Sequence, residues 1–218
     1  MQQTNFLSIH SNEKEYLSDF ISESIQFFYK ELFLYIKLNS DDNILRYANE
    51  STLAGLYVNG LIRNDNPETP EITAVQEYTI SSENSSSILK PDIFLRRESD
   101  AIWIECKYDK YRPKYNASHF DLENWMKFDQ DILRQVNSYY NIEGGQANPS
   151  YTNHYVVTMA FKLIDKDRES HLKKCEAMRT EIEGAERNCY YAVEFLQDDN
   201  GNYTNEGLEV YGTFEKKK

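Results

Sequence analysis

Residues 91–107 have the sequence PDIFLRRESDAIWIECK, in which two apolar runs flank the turn Arg97-Glu98-Ser99-Asp100. Apolar and β-branched residues on both sides of a short polar turn are typical of two antiparallel strands joined tightly. The pattern therefore predicts strands over residues 88–96 and 101–108, with the turn between them.

Charged side chains follow the apolar part of the second strand. Glu105 and Lys107 are two residues apart, so an extended backbone places both on one face of the sheet. Asp92 opens the first strand, and the hairpin carries it back towards that end of the second strand. Two carboxylates beside a lysine suit metal-assisted phosphodiester hydrolysis, because hard oxygen ligands hold Mg²⁺ and the amine can position or deprotonate the attacking water.

Hydrophobic periodicity predicts further helices and strands on both sides of the hairpin. The helices are expected over residues 12–38, from residue 43 or 49 to 62, over 121–140 and over 165–184; the other strands are expected over 71–80, 155–163, 190–196 and 208–214. This order indicates an α/β fold with a mixed central sheet flanked by helices. We expect one compact domain, in which residues 1–42 form an N-terminal helical extension packed on the core of residues 43–218.

The composition excludes several classes of protein. Hydrophobic residues make up 40% of the 218, with 17 Tyr and 11 Phe, which is enough for a packed core and excludes a wholly disordered chain. No apolar run approaches the roughly 20 residues of a membrane span, and the N-terminus lacks a signal-peptide pattern. Three widely spaced cysteines fit reduced thiols, so we expect a cytoplasmic protein without a membrane partner.

The net charge of −12 argues against a general nucleic-acid coat protein. Residues 90–134, however, carry nine basic and nine acidic side chains, so the whole excess lies outside them. Within this neutral stretch Lys110, Arg112 and Lys114 alternate with tyrosines. Such a run can bind phosphates and stack on bases, although an ordinary charged loop is the alternative.

The Pro91-Asp92 pair and Glu105-Cys106-Lys107, on a strand–turn–strand unit, resemble the signature of the PD-(D/E)XK nuclease superfamily. The resemblance implies the restriction-endonuclease-like fold. It also implies that Asp92 and Glu105 bind the metal, that the carbonyl between Glu105 and Lys107 assists, and that Lys107 acts on the nucleophilic water. The implied cofactor is Mg²⁺, for which Mn²⁺ can substitute. The implied substrate is nucleic acid, foremost DNA, in prokaryotic phage defence, restriction or DNA repair.

Glu50 is a candidate for a further metal-associated carboxylate. On a helical wheel, four apolar residues fall within about 60° of it: Leu53, Ala54, Tyr57 and Leu61. A carboxylate in an apolar stripe is rare unless it is paired or bound to a metal. Members of the resembled superfamily often supply such a carboxylate from the helix before the first strand, which is where Glu50 stands.

Gln135 and Tyr139 are one turn apart on the helix expected over residues 121–140. They resemble the Gln-x-x-x-Tyr element of the RecB-like branch of the superfamily. That resemblance implies contacts of both side chains with the nuclease centre and its DNA.

The candidate residues also have ordinary structural interpretations. Asp92 can be a turn residue after Pro91, Glu105 and Lys107 a surface ion pair, Glu50 a first-turn helix residue after an Asn49 cap, and Gln135 and Tyr139 edge residues of a core helix.

Three hypotheses follow. The first is a Mg²⁺-dependent nuclease with the residue roles given above. The second is a catalytically silent protein of the same fold that binds nucleic acid or a protein partner. The third is a structural α/β protein in which Asp92, Glu105 and Lys107 lie far apart. The aromatic run Phe27-Phe28-Tyr29 cannot face one core, which predicts a homodimer.

Overall fold

The computed structural model of the protein describes residues 6–12, 16–39, 45, 48–64, 72–76, 91–109, 151, 153–164, 167–198 and 200–217. In this part of the chain, seven strands and three helices have defined bounds. The strands are β1 (Phe6–His10), β2 (Ile72–Gln76), β3 (Ile93–Arg97), β4 (Asp100–Asp109), β5 (Asn153–Ile164), β6 (Cys189–Gln197) and β7 (Tyr203–Lys217). The helices are α1 (Tyr16–Asn39), α2 (Glu50–Asn64) and α3 (Arg168–Glu183).

The seven strands form one mixed sheet in the order β1-β6-β7-β5-β4-β3-β2. Strands β4 and β5 are parallel, and every other neighbouring pair is antiparallel. The central position of β4 and β5 explains their nearly continuous apolar sequences, because both faces of these strands are covered. The predicted α/β class with a mixed sheet is therefore confirmed.

The helices lie on both faces of the sheet, as the alternation of side chains along the strands shows. Ile104 and Cys106 of β4 belong to the larger core cluster, together with the apolar sides of α1 and α2. On the opposite face, Met178 and Ile182 of α3 pack with Tyr191 of β6. Glu105 and Lys107 alternate with the residues of the larger core and thus belong to the face on which α3 packs further along the sheet.

Several element boundaries differ from those expected. Strand β1 was not predicted; it lies at one edge of the sheet and pairs with β6. Helix α2 begins at Glu50, the later of the two starts considered. Helix α1 begins at Tyr16 within the described residues, whereas the sequence indicated a start at residue 12. The helix expected over residues 121–140 lies outside the described residues.

The three cysteines are free thiols and all are buried. Cys106 is fully enclosed in the larger core, as its position opposite Glu105 and Lys107 predicts. Within the described residues, no helix is both long enough and apolar enough to cross a lipid bilayer.

Candidate functional site

Four of the residues singled out in the sequence converge at one end of β4. The ammonium nitrogen of Lys107 lies 3.1 Å from Oε1 of Glu105, 3.4 Å from Oε1 of Glu50 and 4.0 Å from Oδ2 of Asp92. The three carboxylates come from α2, from β4 and from the residue just before β3, and they are separated by up to 55 residues of sequence (50 to 105). The distances contradict the hypothesis that the charged residues lie far apart.

The β3–β4 hairpin brings Asp92 to the cluster. Ile93 pairs with Ile104, so Asp92, one residue earlier, stands beside Glu105, one residue later. The Oδ2 atom of Asp92 accepts a hydrogen bond of 2.7 Å from the backbone N–H of Cys106. Asp92 therefore ties the start of one strand to the next, and its carboxylate is held facing Lys107.

Helix α2 brings Glu50. The side-chain oxygen of Asn49 accepts a 2.8 Å hydrogen bond from the N–H of Thr52, so Asn49 is the N-cap and Glu50 the first helical residue. The second carboxylate oxygen of Glu50 accepts a 3.0 Å hydrogen bond from the N–H of Tyr108. Glu50 is therefore the first-turn residue of the ordinary interpretation, favoured by the helix dipole, and it also contacts Lys107. Its role as a metal-associated carboxylate stays a prediction.

Glu105 is the most deeply placed of the three acids, with a side chain only 5% exposed. Its Oε1 atom contacts Lys107, but its Oε2 atom is buried and has no hydrogen-bond partner in the described part of the chain. Burial, and next the charge of Asp92, raise the pKa of Glu105 above its usual value, although Lys107 opposes this. A buried carboxylate oxygen without a donor is unfavourable, and a bound cation would remove that cost.

Lys107 makes one more contact, donating a 2.8 Å hydrogen bond to the backbone carbonyl of Cys106. Burial alone would lower the pKa of Lys107, but its contact with Glu105 and the charges of Asp92 and Glu50 raise it above the usual value. The side chain is therefore a charged ammonium at neutral pH. The three acids, when ionised, carry −3 against its +1, so the site has a net charge of −2.

The donor set fits a hard divalent cation. Three carboxylates and the carbonyl of Cys106 supply only oxygen, which is what Mg²⁺ and Mn²⁺ bind. Within the described residues, no three His, Cys, Asp or Glu side chains are already arranged around one point as metal ligands. The ammonium of Lys107 stands among the three carboxylates.

Other predicted site residues lie outside the described residues: Lys110, Arg112, Lys114, Gln135 and Tyr139. Trp103 of β4 is 2% exposed, and its ring centre lies 4.5 Å from that of Phe94.

Two features of this end of β4 were not predicted. The N–H of Tyr108 anchors Glu50, and the hydroxyl of Tyr108 donates a 2.8 Å hydrogen bond to the carbonyl of Leu45. The sequence signal for these two hydrogen bonds is weak: Tyr108 directly follows Lys107, so its side chain points to the opposite face of the sheet. It joins the end of the strand to the chain before α2.

A second buried polar cluster lies on the other half of the sheet and was also missed. Oε1 of Glu209 is 2.8 Å from Nε2 of His171 and 3.1 Å from both Nζ of Lys174 and the hydroxyl of Tyr191. The available signal was a glutamate within the apolar run Leu208–Tyr211, with a histidine and a lysine three residues apart on a helix. The side chains of Glu209, His171 and Tyr191 are buried and that of Lys174 is 19% exposed, which indicates a structural role for this cluster.

Comparisons of this chain with protein-family models, with curated proteins and with solved structures give no match. The functional conclusion therefore depends on the geometry of the site and on the resemblance of its residues to the PD-(D/E)XK signature.

Proposed function

We propose that this protein is a metal-dependent nuclease with a restriction-endonuclease-like fold, which hydrolyses phosphodiester bonds of DNA with Mg²⁺ as cofactor. The observation that carries the proposal is the convergence of Glu105 and Lys107 of β4 with Asp92, which directly precedes β3, and with Glu50 of α2. An isolated surface ion pair does not require three carboxylates around one lysine, one of them almost fully buried.

The residues divide the chemistry between them. Asp92, Glu105 and Glu50, with the Cys106 carbonyl, would hold the metal ion, which supplies positive charge to the phosphate and activates water. Lys107, whose side chain is 31% exposed, would orient the attacking water and place a second positive charge near the phosphate. The hydrogen bond from Cys106 N–H to Asp92 fixes that carboxylate before any ion arrives, so the site is partly preorganised.

The fold supports the same proposal. The candidate residues lie on a hairpin whose second strand is followed by a parallel neighbour, β5, at the centre of a mixed sheet covered by helices on both faces. Of these features, the strand–turn–strand unit and the mixed sheet flanked by helices are the ones that the PD-(D/E)XK resemblance implies.

The test is cleavage of double-stranded DNA, single-stranded DNA and RNA of the same sequence, with Mg²⁺ or Mn²⁺ and with EDTA. We expect metal-dependent cleavage that falls at least about 100-fold in Lys107→Ala and Glu105→Gln. The matched controls are Lys173→Ala and Glu169→Gln, which make the same charge changes in an exposed ion pair on α3 and should cleave like the unchanged protein. Circular dichroism verifies folding of each variant.

Undiminished cleavage by folded Lys107→Ala would remove the assigned role of Lys107. The net charge of −12 favours the second candidate function, a catalytically silent module, because phosphate neutralisation dominates nucleic-acid affinity. Absence of cleavage of all three substrates, with no Mn²⁺ bound at millimolar concentration, would support that second function instead.

A further inference from the structure

We propose that Lys107 is a built-in competitor of the divalent metal: its ammonium occupies the place of the cation in the metal-free protein and must move out before the ion binds. This inference rests on the metal site of the proposed function and adds a regulatory role for one of its residues. The affinity for metal then depends on the difference between two interaction free energies: that of the ion with these oxygens and that of the ammonium with the same oxygens.

The contacts of Lys107 carry the proposal. Its nitrogen lies within 4.0 Å of one oxygen from each of Glu105, Glu50 and Asp92, and 2.8 Å from the carbonyl oxygen of Cys106. These are the same four oxygen-bearing groups that would bind the metal. An ammonium carries three N–H donors on one compact charge, so it can contact several acceptor oxygens at once.

A cation is needed at this position whether or not metal is present. Three carboxylates repel one another, and the one on Glu105 has little contact with water to reduce that repulsion. Lys107 lowers the repulsion in the metal-free protein and so keeps the carboxylates gathered. Its ammonium does not complete the site, however, because Oε2 of the buried Glu105 is still without a donor in the described residues. A divalent ion offers twice the charge and more ligand positions.

Lys107 can leave without disturbing the sheet. Its side chain is 31% exposed and stands near the end of β4, which finishes at Asp109. The four-carbon stem of lysine allows the ammonium to rotate towards solvent while the backbone of β4 keeps its pairing. When it points outward, the ammonium of Lys107 can contact a phosphate of the substrate. Movement of Lys107 away from the carboxylates is then coupled to substrate binding.

The experiment measures Mn²⁺ binding alone, without nucleic acid, from the electron paramagnetic resonance signal of the free ion. Lys107→Met should bind Mn²⁺ about tenfold more tightly than the unchanged protein, because the competing charge is gone. Lys173→Met is the matched control: it removes an exposed lysine on α3 and should change the Kd by less than about twofold. In thermal unfolding, Mn²⁺ should raise the Tm of Lys107→Met by more than it raises that of either other protein.

The outcomes separate this inference from the proposed function. If the unchanged protein binds Mn²⁺ and folded Lys107→Met binds it equally or more weakly, competition is wrong and the metal site stands. If none of the three proteins binds Mn²⁺ at millimolar concentration, the proposed metal site fails and the competition with it.

Loss of Lys107 could also prevent folding in metal-free buffer, so Lys107→Gln is measured in parallel. If both variants fold only when Mn²⁺ is present, the ion has replaced the ammonium, which supports the proposal. If neither folds even with Mn²⁺, the ion cannot take the place of the ammonium and the proposal is overturned.

Discussion

Among the described residues, three glutamates are buried on the sheet, and their different surroundings shift their pKa values differently. Burial alone would raise the pKa of Glu209, but the hydrogen bond from His171 and the charge of Lys174 lower it to about 2. Burial raises the pKa of Glu194 to about 7. For Glu105, burial and the charge of Asp92 outweigh the opposing effect of Lys107. At the scale of single residues, the neighbouring charges thus decide whether a buried carboxylate ionises at neutral pH.

Glu194 makes stability depend on pH. In the unfolded chain its pKa is about 4.5, and in the folded protein about 7. Between these values the unfolded state binds fewer protons, so the free energy of unfolding falls as pH rises from about 4.5 to 7, by about 2–3 kcal/mol in total. Glu194→Gln cannot ionise. Its stability relative to the unchanged protein should therefore rise by about that amount between pH 5 and pH 8.

Urea unfolding followed by circular dichroism at the two pH values measures this difference. Glu183→Gln, an exposed glutamate of α3, provides the control and should change the pH dependence by less than about 0.5 kcal/mol. An equal pH dependence for Glu194→Gln and the unchanged protein would show that Glu194 is already ionised when folded.

At the scale of elements, α1 and α2 approach each other closely at one glycine. A Cβ atom on Gly60 would lie 2.8 Å from the backbone carbonyl carbon and oxygen of Phe27. Backbone atoms cannot yield without moving a helix, so the absence of a side chain at Gly60 sets the distance between the two helices. The same helix pair is joined further along by the ion pair of Arg63 with Glu31, at 3.2 Å.

Gly60→Ala should therefore destabilise the protein by about 1–3 kcal/mol, as overpacking does elsewhere. Gly55→Ala, on the same helix, is the control. There the nearest atom to a new Cβ is the side-chain oxygen of Gln76 at 3.4 Å, which can adjust. Because alanine has a higher helix propensity than glycine, Gly55→Ala should stabilise the protein by about 0.5–1 kcal/mol. Thermal unfolding of the two variants gives the comparison, and equal Tm values would contradict the close helix contact.

The charge distribution belongs to the scale of the whole molecule. The net charge of −12 lies outside the neutral stretch of residues 90–134, which contains Asp92, Glu105 and Lys107. A polyanion is therefore repelled by the protein as a whole. Cleavage should accordingly be inhibited by salt less steeply than in strongly basic nucleases, whose affinity depends on many phosphate contacts.

The homodimer remains a prediction, but its basis has changed. Phe28 and Tyr29 are buried in the core and Phe27 is half-buried, so this aromatic run does not require a second subunit. Leu34 and Leu38, one turn apart on α1, are 39% and 74% exposed and are the better candidates. Sedimentation velocity at micromolar concentration should give twice 25.7 kDa for the unchanged protein and a monomer for Leu38→Glu. A monomer in both cases would remove the dimer.

Local patterns were sufficient to predict much of the site. The two-residue period places Glu105 and Lys107 on one face, and the turn at residues 97–100 fixes the register that sets Asp92 beside them. The sequence also offered Asn49 as the helix cap, and with it the start of α2, because capping depends on a residue type at one position. Each of these depends on backbone conformation within a few residues, which the side-chain types restrict directly.

Contacts between distant parts of the chain were decided only by the tertiary structure. Strand β1 has five residues, too few for a clear period, and its paired residues in β6 lie 179 to 187 positions away. Glu50 was suggested by its apolar neighbours on the helix, but its 3.4 Å contact with Lys107 requires α2 to pack at one particular place on the sheet. The sequence by itself therefore determined which residues share a face or a turn. The packing of the whole core determined which faces meet, because that choice depends on the summed burial of many side chains rather than on any one segment.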